Sequence, residues 1–184
     1  KAPIRLIGNV SIHTDCCGLR IESPIDLNSF NLNIDGYNTE VIGVIAGSGN
    51  VTLAQNTMSL RANNTYTGTT TVSTWAGIFG SQAQSDVTVT QGGSLFGGGS
   101  LGNLTVNGTL APGTSSPCCS NTNGVGVFQV RDLVFHGDSG ARYSRVDISG
   151  PLPGTGYDQV KATGTVRLGN ATLDIAPLQS YIPP

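Results

Sequence analysis

The segment from residue 63 to residue 72, Asn-Asn-Thr-Tyr-Thr-Gly-Thr-Thr-Thr-Val, constrains the fold of this chain more than any other segment. Asn, Thr and Gly disfavour the interior of a helix, and β-branched Thr and Val favour a strand. The Gly indicates a turn just before the β-branched run. The segment therefore predicts a turn that leads into a short strand, and it excludes a helix.

Short apolar–x–apolar triplets recur along the chain and extend this prediction. A period of two places both apolar side chains of a triplet on one face of a strand, and clusters of Gly, Asn, Asp or Ser separate the triplets. Strands near Val51, Val72, Val87 and Leu104 follow one another at intervals of about 15 to 21 residues, a spacing typical of solenoid repeats. We expect an all-β fold, either a parallel β-helix (β-solenoid) or a β-sandwich, which also has many short strands.

Three more segments accompany residues 63–72 in a fixed order, namely residues 47–53, 92–113 and 157–173. Together the four segments resemble the autotransporter-associated β-strand repeat, which builds passenger regions of secreted bacterial surface proteins. The resemblance covers about residues 43 to 175. It implies a right-handed parallel β-helix and favours this fold over the sandwich. It is less specific for function, because one fold hosts many activities.

The composition agrees with a thin, glycine-rich fold of one domain. The 184 residues include 26 Gly, and only 11% of them are charged. The net charge of −2 suggests no nucleic-acid partner, and no apolar run reaches the roughly 20 residues of a membrane-spanning helix. The chain lacks an initiator Met and a signal peptide, which predicts a processed or excised product. We expect a single domain, 1–184, with core coils in 1–112, a protruding Cys-containing loop at 113–126 and closing strands in 127–184.

The four cysteines form two adjacent pairs, Cys16-Cys17 and Cys118-Cys119. An even number in a secreted chain indicates disulfides. With roughly 20 residues and about 4.8 Å per coil, the pairs lie some 20 Å or more apart along the axis, whereas a disulfide needs Cα atoms within about 7 Å. The alternatives are bonds between stacked subunits or through long loops, a bond within each pair, or free thiols. Adjacent cysteines give poor geometry for zinc, so we expect no metal site and no cofactor.

Asn-x-Ser/Thr triplets are acceptors for glycosylation in a host with that machinery. An Asn- and Thr-rich β-helix also produces such triplets by chance, and Asn then more often forms turns and ladders between coils. The candidate asparagines are Asn9, Asn50, Asn63, Asn103, Asn107 and Asn170.

Patterns typical of enzymes are weak, and we expect no catalytic residues. Gly137-Asp138-Ser139-Gly140 is similar to the loop around a serine nucleophile, but such a site needs a separate His base. The only histidines are His13 and His136, and His136 adjoins the motif. β-Helical glycosidases use paired carboxylates. Asp147 and Asp174 each lie between apolar residues, so alternation predicts that both point outward into solvent.

Trp75 follows the strand of residues 70–72, and two interpretations of it remain open. An exposed indole suits stacking on a sugar or burial in a protein contact. Alternatively, Trp75 covers a hydrophobic cluster with Ile78 and Phe79.

The sequence predicts a structural function outside the cell or at the bacterial cell surface. A solenoid buries its core only between coils, so its ends are open sheet edges that pair with other chains. The expected partner is a second copy stacked end to end, or the rest of a longer passenger. The alternative is an adhesin or glycan-binding module that acts as a monomeric spike on a host or matrix glycan.

Overall fold

The computed structural model describes residues 1–113, 124–136 and 143–177. All regular secondary structure in these ranges is β-strand, in short pieces. The strands are β1 Ile4–Arg5, β2 Val10–Thr14, β3 Leu19–Ile21, β4 Ile25–Asp26, β5 Leu32–Gly36, β6 Thr39–Val41, β7 Ile45–Ala46, β8 Val51–Ala54, β9 Thr57–Leu60, β10 Thr70–Val72, β11 Trp75–Ile78, β12 Val87–Val89, β13 Ser94–Gly97, β14 Gly99–Ser100, β15 Leu104–Val106, β16 Thr109–Pro112, β17 Val127–Val130, β18 Leu133–Phe135, β19 Tyr143–Ile148, β20 Gln159–Ala162, β21 Val166–Arg167 and β22 Leu173–Pro177.

The strands form two long sheets and two short ones. Sheet I has the order β2-β5-β8-β10-β12-β15-β18-β21, and sheet II has the order β3-β6-β9-β11-β13-β16-β19-β22. The three-stranded sheets β1-β4-β7 and β14-β17-β20 form a third side. Every ladder between these strands is parallel, with each strand paired to its equivalent in the next coil. The predicted β-solenoid is therefore confirmed, and a sandwich of antiparallel strands does not describe the chain.

The core consists of side-chain columns that run along the solenoid axis. In sheet I the inward column passes through Val51, Thr70, Val87 and Leu104, at intervals of 19, 17 and 17 residues. The repeat length was therefore predicted well. Buried Thr70 occupies the column of Val51, and Val72 aligns with Leu53.

A second column consists of Asn and Asp residues that immediately precede the strands of sheet I. In Asn9, Asn31, Asn50, Asp86 and Asp132 the side-chain oxygen accepts the backbone N–H of the equivalent residue one coil further on. Asn9 accepts from Asn31 at 2.9 Å, Asn31 from Asn50 at 3.1 Å, and Asn50 from Thr69 at 2.8 Å. Further along, Asp86 accepts from Asn103 at 2.8 Å. These bonds satisfy backbone donors at the corner, where the chain turns away from the strand ladder.

Candidate functional site

The segment of residues 63–72 builds a buried polar cluster inside the solenoid. The hydroxyl of Tyr66, which is 1% exposed, donates to Oε1 of Gln82 at 2.7 Å and contacts Oγ1 of Thr70. Thr70 in turn contacts the Ser85 hydroxyl at 2.8 Å. Burial raises the pKa of Tyr66 to about 12. Because the cluster is closed and buried, its role is to hold coils together.

The remaining residues of this segment also make contacts between coils. Asn63 Oδ1 accepts the N–H of Ser81, and Asn64 Oδ1 accepts the N–H of Ile45. At Gly68 a Cβ would lie 2.1 Å from the carbonyl oxygen of Gly49, so only glycine fits. The residues that carry the family resemblance are therefore residues that set the distance and register between coils.

Most of the candidate glycosylation asparagines use their side chains in such contacts. Asn9, Asn50 and Asn63 accept backbone N–H groups with Oδ1, as described above. The Nδ2 of Asn103 donates to Asp86 at 3.1 Å, and the Nδ2 of Asn107 donates to Val89 O at 3.3 Å.

Asn170 differs from these five. It is exposed and has a positive φ of 60° in a turn between β21 and β22. Glycosylation of any of the six stays a prediction.

The last coil leaves its inward column residues uncovered. Leu173 and Ile175 of β22 continue the inward columns of sheet II but are 58% and 56% exposed. Val166 of β21 lies in register with Leu133, which is buried, yet Val166 is 50% exposed. An apolar hollow of about 230 Å³ opens here, lined by residues that include Phe135, Val160 and Leu173. Column positions that are buried in interior coils are therefore exposed at this end of the described residues.

The first coil is the opposite end and is covered better. Ile4 of β1 is in register with fully buried Ile25 and is 42% exposed, while Val10 and Ile12 of β2 are half-buried. Ile21 of β3 is buried. The two ends of the described solenoid therefore both expose column residues, and the end at β21 and β22 exposes more.

The Cys16 and Cys17 thiols lie exposed in the turn between β2 and β3 and are free. Their mutual contact raises the pKa of the Cys16 thiol, which lowers its thiolate fraction near neutral pH. Cys118 and Cys119 lie outside the described residues, as does most of the predicted loop at 113–126. Its bounds coincide with the end of β16 and the start of β17.

The carboxylates give one correction to the sequence interpretation. Asp147 was predicted to point into solvent, but it is 1% exposed. Asp158 lies beside it and accepts the N–H of Asp147 at 2.9 Å and the N–H of Gly126 at 2.8 Å. The prediction was wrong because residues 149–158 fold back and cover the strand end. Asp174 is exposed, as predicted.

Of the other catalytic candidates, the structure describes the histidines but not the serine loop. The loop at residues 137–140 lies outside the described residues. His13, at the first coil, contacts Asp15 at 2.8 Å, and this hydrogen bond raises the pKa of the exposed imidazole. Within the described ranges, no group of three His, Cys, Asp or Glu residues could hold a metal ion.

Trp75 lies on the outer face of sheet II and is partly exposed. Ile78 of the same strand is fully buried on the inner face, so the predicted cluster of Trp75 with Ile78 is wrong. Phe79 instead packs edge-to-face against Phe96, with ring centroids 6.0 Å apart. The guanidinium of Arg61 lies 4.7 Å from the centroid of the Phe79 ring.

These aromatic rings border a groove of about 560 Å³ on the outer face of sheet II. Its outward column starts at Arg20 and passes through Glu40, Ser59 and Gly77 to Phe96. The groove had no counterpart in the sequence interpretation, since its residues are about 20 positions apart. It is lined by Cys17, Gly18, Leu19, Arg20, Asn38, Thr39, Glu40, Thr57, Met58, Ser59, Arg61, Phe79 and Phe96.

Fold and surface together define the class of the protein as a parallel β-solenoid with two incompletely covered end coils. Among the described residues, no helix is both long and apolar enough to span a membrane. Comparison with family models, with curated proteins and with solved structures finds no match to this chain.

Proposed function

We propose that this chain is a structural extracellular module that extends or assembles at a bacterial surface or in its matrix, as a subunit stacked end to end. The observation that supports this function is the exposure of column residues in the end coils. The columns that bury Leu110 and Leu133 in interior coils end at Leu173 and Val166, which are 58% and 50% exposed.

The register of the columns gives the geometry of a junction between two copies. If each column continues across the junction, Leu19 of the second copy covers Leu173 of the first, and Ile21 covers Ile175. In sheet I, Val10 of the second copy covers Val166. Covering each half-exposed side chain would contribute about 1 kcal/mol.

Charge on the outer face is compatible with the same register. Asp174 is the last residue of the outward column of sheet II, and Arg20 is its first. Stacking therefore places Arg20 of one copy beside Asp174 of the next. Within one chain, Arg20 already pairs with Glu40 of the neighbouring coil at 3.4 Å, in the equivalent geometry.

The assembly is tested by multi-angle light scattering and electron microscopy of the purified chain. We expect multimers or filaments for the natural sequence, and a shift to monomers for Leu173→Glu. The matched control is Leu152→Glu, because Leu152 is 65% exposed and lies in a loop outside the columns. A natural chain that stays monomeric at high concentration, or multimers that persist in Leu173→Glu, would contradict end-to-end stacking.

A finer proposal is that disulfides lock the junction, with Cys118 or Cys119 bonded to Cys16 or Cys17 of a neighbour. The exposure of Cys16 and Cys17 on the first coil supports this arrangement. Replacement of both Cys118 and Cys119 by Ser should leave the monomer folded and make multimers dissociate more readily in denaturant. The disulfide lock is contradicted if multimers of the natural chain and of the double variant resist denaturant equally. It is also contradicted if reductant does not affect the natural multimers.

The alternative function is a glycan-binding module that acts as a monomeric spike, with Trp75 as a contact. The partly exposed position of Trp75 on the outer face of sheet II supports this alternative. It is tested by Trp75→Ala, which should abolish glycan binding and leave the oligomeric state unchanged.

A further inference from the structure

We infer that the groove on the outer face of sheet II, described above, binds a neutral oligosaccharide laid along the solenoid axis. This inference concerns other residues than Trp75 and does not rest on end-to-end stacking. Five consecutive strands, β3, β6, β9, β11 and β13, supply the outward column. With about 4.8 Å per coil, the column from Arg20 to Phe96 is roughly 19 Å long. The rings of Phe79 and Phe96 cover its Gly77, so the open floor from Arg20 to Ser59 is roughly 10 Å long and suits about two sugars. The volume of about 560 Å³ lies in the range of ligand sites.

One end of the groove offers donors and acceptors that are held in place. Glu40 pairs with Arg61 through Oε1 and with Arg20 through Oε2. Arg61 uses Nε in its ion pair, and its guanidinium is also fixed on the Phe79 ring. A guanidinium has further N–H donors on its Nη atoms, and a carboxylate has several acceptor positions. Sugar hydroxyls donate and accept at once, so a fixed Arg–Glu pair matches them.

The other end of the groove is apolar and aromatic. Gly77 lies under Phe79 and Phe96, since a Cβ there would be 2.7 and 2.6 Å from their Cε2 atoms. Both rings are partly exposed above the sheet. The C–H face of a pyranose is apolar and packs on an aromatic ring while its hydroxyls point to the sides, and Phe96 offers this surface because the guanidinium of Arg61 covers Phe79.

The charge of the groove favours a neutral ligand over an acidic one. Glu40 neutralises one of the two arginines, and Arg20 is further paired with Glu22 at 3.2 Å. An acidic sugar would have to displace these pairs to gain a salt bridge. Ser59, in the middle of the floor, is small and leaves room for a ring.

The inference is tested with maltohexaose, cellohexaose and chitohexaose, with oligogalacturonate as the acidic comparison. Binding is measured by calorimetry and by fluorescence of Trp75, which pairs with the lining residue Thr57. We expect one neutral hexaose to bind, and Ser59→Trp, which fills the groove, to weaken it at least tenfold. The control is Thr88→Trp, at an outward position of sheet I, which should leave binding unchanged.

Two further variants separate this site from the other proposals. Arg61→Lys keeps the charge but loses the planar fork, so it should weaken binding about tenfold while circular dichroism stays that of the natural chain. Leu173→Glu should keep full binding, because it changes only the end coil. The inference is overturned if no neutral hexaose binds, if oligogalacturonate binds more tightly than all three, or if Ser59→Trp binds as the natural chain does.

Discussion

Removal of the Tyr66 hydroxyl should destabilise the chain at neutral pH and by less at alkaline pH. In Tyr66→Phe, Gln82 Oε1 and Thr70 Oγ1 lose a partner inside the core. Both oxygens keep a partner, since Thr70 contacts Gln82 Oε1 at 3.3 Å and the Ser85 hydroxyl at 2.8 Å. The change therefore removes two hydrogen bonds of about 0.5–1.5 kcal/mol each, and we expect a loss of roughly 1–3 kcal/mol at pH 8. The polar cluster therefore contributes directly to the free energy of unfolding.

The pH dependence follows from the pKa of Tyr66. Burial disfavours the phenolate and raises the folded pKa to about 12, against an ordinary value of 10.0. The natural chain therefore keeps the full contribution of Tyr66 below about pH 10 and loses it as the pH rises towards about 12. At pH 11 the loss is about 1.4 kcal/mol, one pKa unit of differential ionisation. Phe cannot ionise, so the difference between the two proteins should shrink by that amount.

The assay is equilibrium urea unfolding at pH 8 and pH 11, followed by fluorescence of Trp75, the only tryptophan in the chain. Trp75 lies in β11, shortly after Tyr66, and so reports on the same part of the stack. Tyr37→Phe is the control, because Tyr37 is exposed and should give a difference near zero at both pH values. An unchanged difference between Tyr66→Phe and the natural chain at pH 8 and pH 11 would refute the argument from burial.

Three further predictions concern contacts between coils. Asn50→Ala should lower the free energy of unfolding by about 1 kcal/mol in urea melts because backbone donors lose their acceptor, whereas Asn50→Asp should keep most of it. Gly68→Ala should abolish or strongly reduce the thermal transition, while Gly8→Ala, where a Cβ meets nothing within 4 Å, should leave it unchanged. In a glycosylating host, mass spectrometry should find glycan on exposed Asn170 in preference to Asn107, whose amide is hydrogen-bonded; equal occupancy would contradict this order.

Alternation along single strands was enough to predict an all-β fold of short strands, because it depends only on neighbouring residues. The choice of a solenoid over a sandwich needed the repeat spacing and the family resemblance as well. Val51-x-Leu53 and Leu104-x-Val106 face inward as the pattern indicates. Alternation failed where burial came from distant residues. Thr70 is polar but inward, since Tyr66, Gln82 and Ser85 satisfy its hydroxyl.

The Asp147 error has the same physical origin. Its flanks predicted an outward carboxylate, and the backbone register around it is ordinary. Asp147 is buried because the chain folds back at Asp158, whose carboxylate accepts the N–H of Asp147. Contacts of this kind depend on the path of a loop, and a period of two carries no information about that path.

The groove on the outer face of sheet II was also missed, for a related reason. That reason indicates which residues of a solenoid can form a binding surface. Residues that fix the stacking, such as Asn50, Tyr66 and Gly68, are constrained by the repeat itself and therefore form a recognisable pattern. Outward positions such as Ser59 and Phe96 are not constrained by stacking, so no repeat pattern reports them. They become neighbours only when register places β9 beside β11 and β13. A binding surface on this fold is consequently specified by residues that the fold leaves free to vary, and binding should respond to outward substitutions that leave the unfolding transition unchanged.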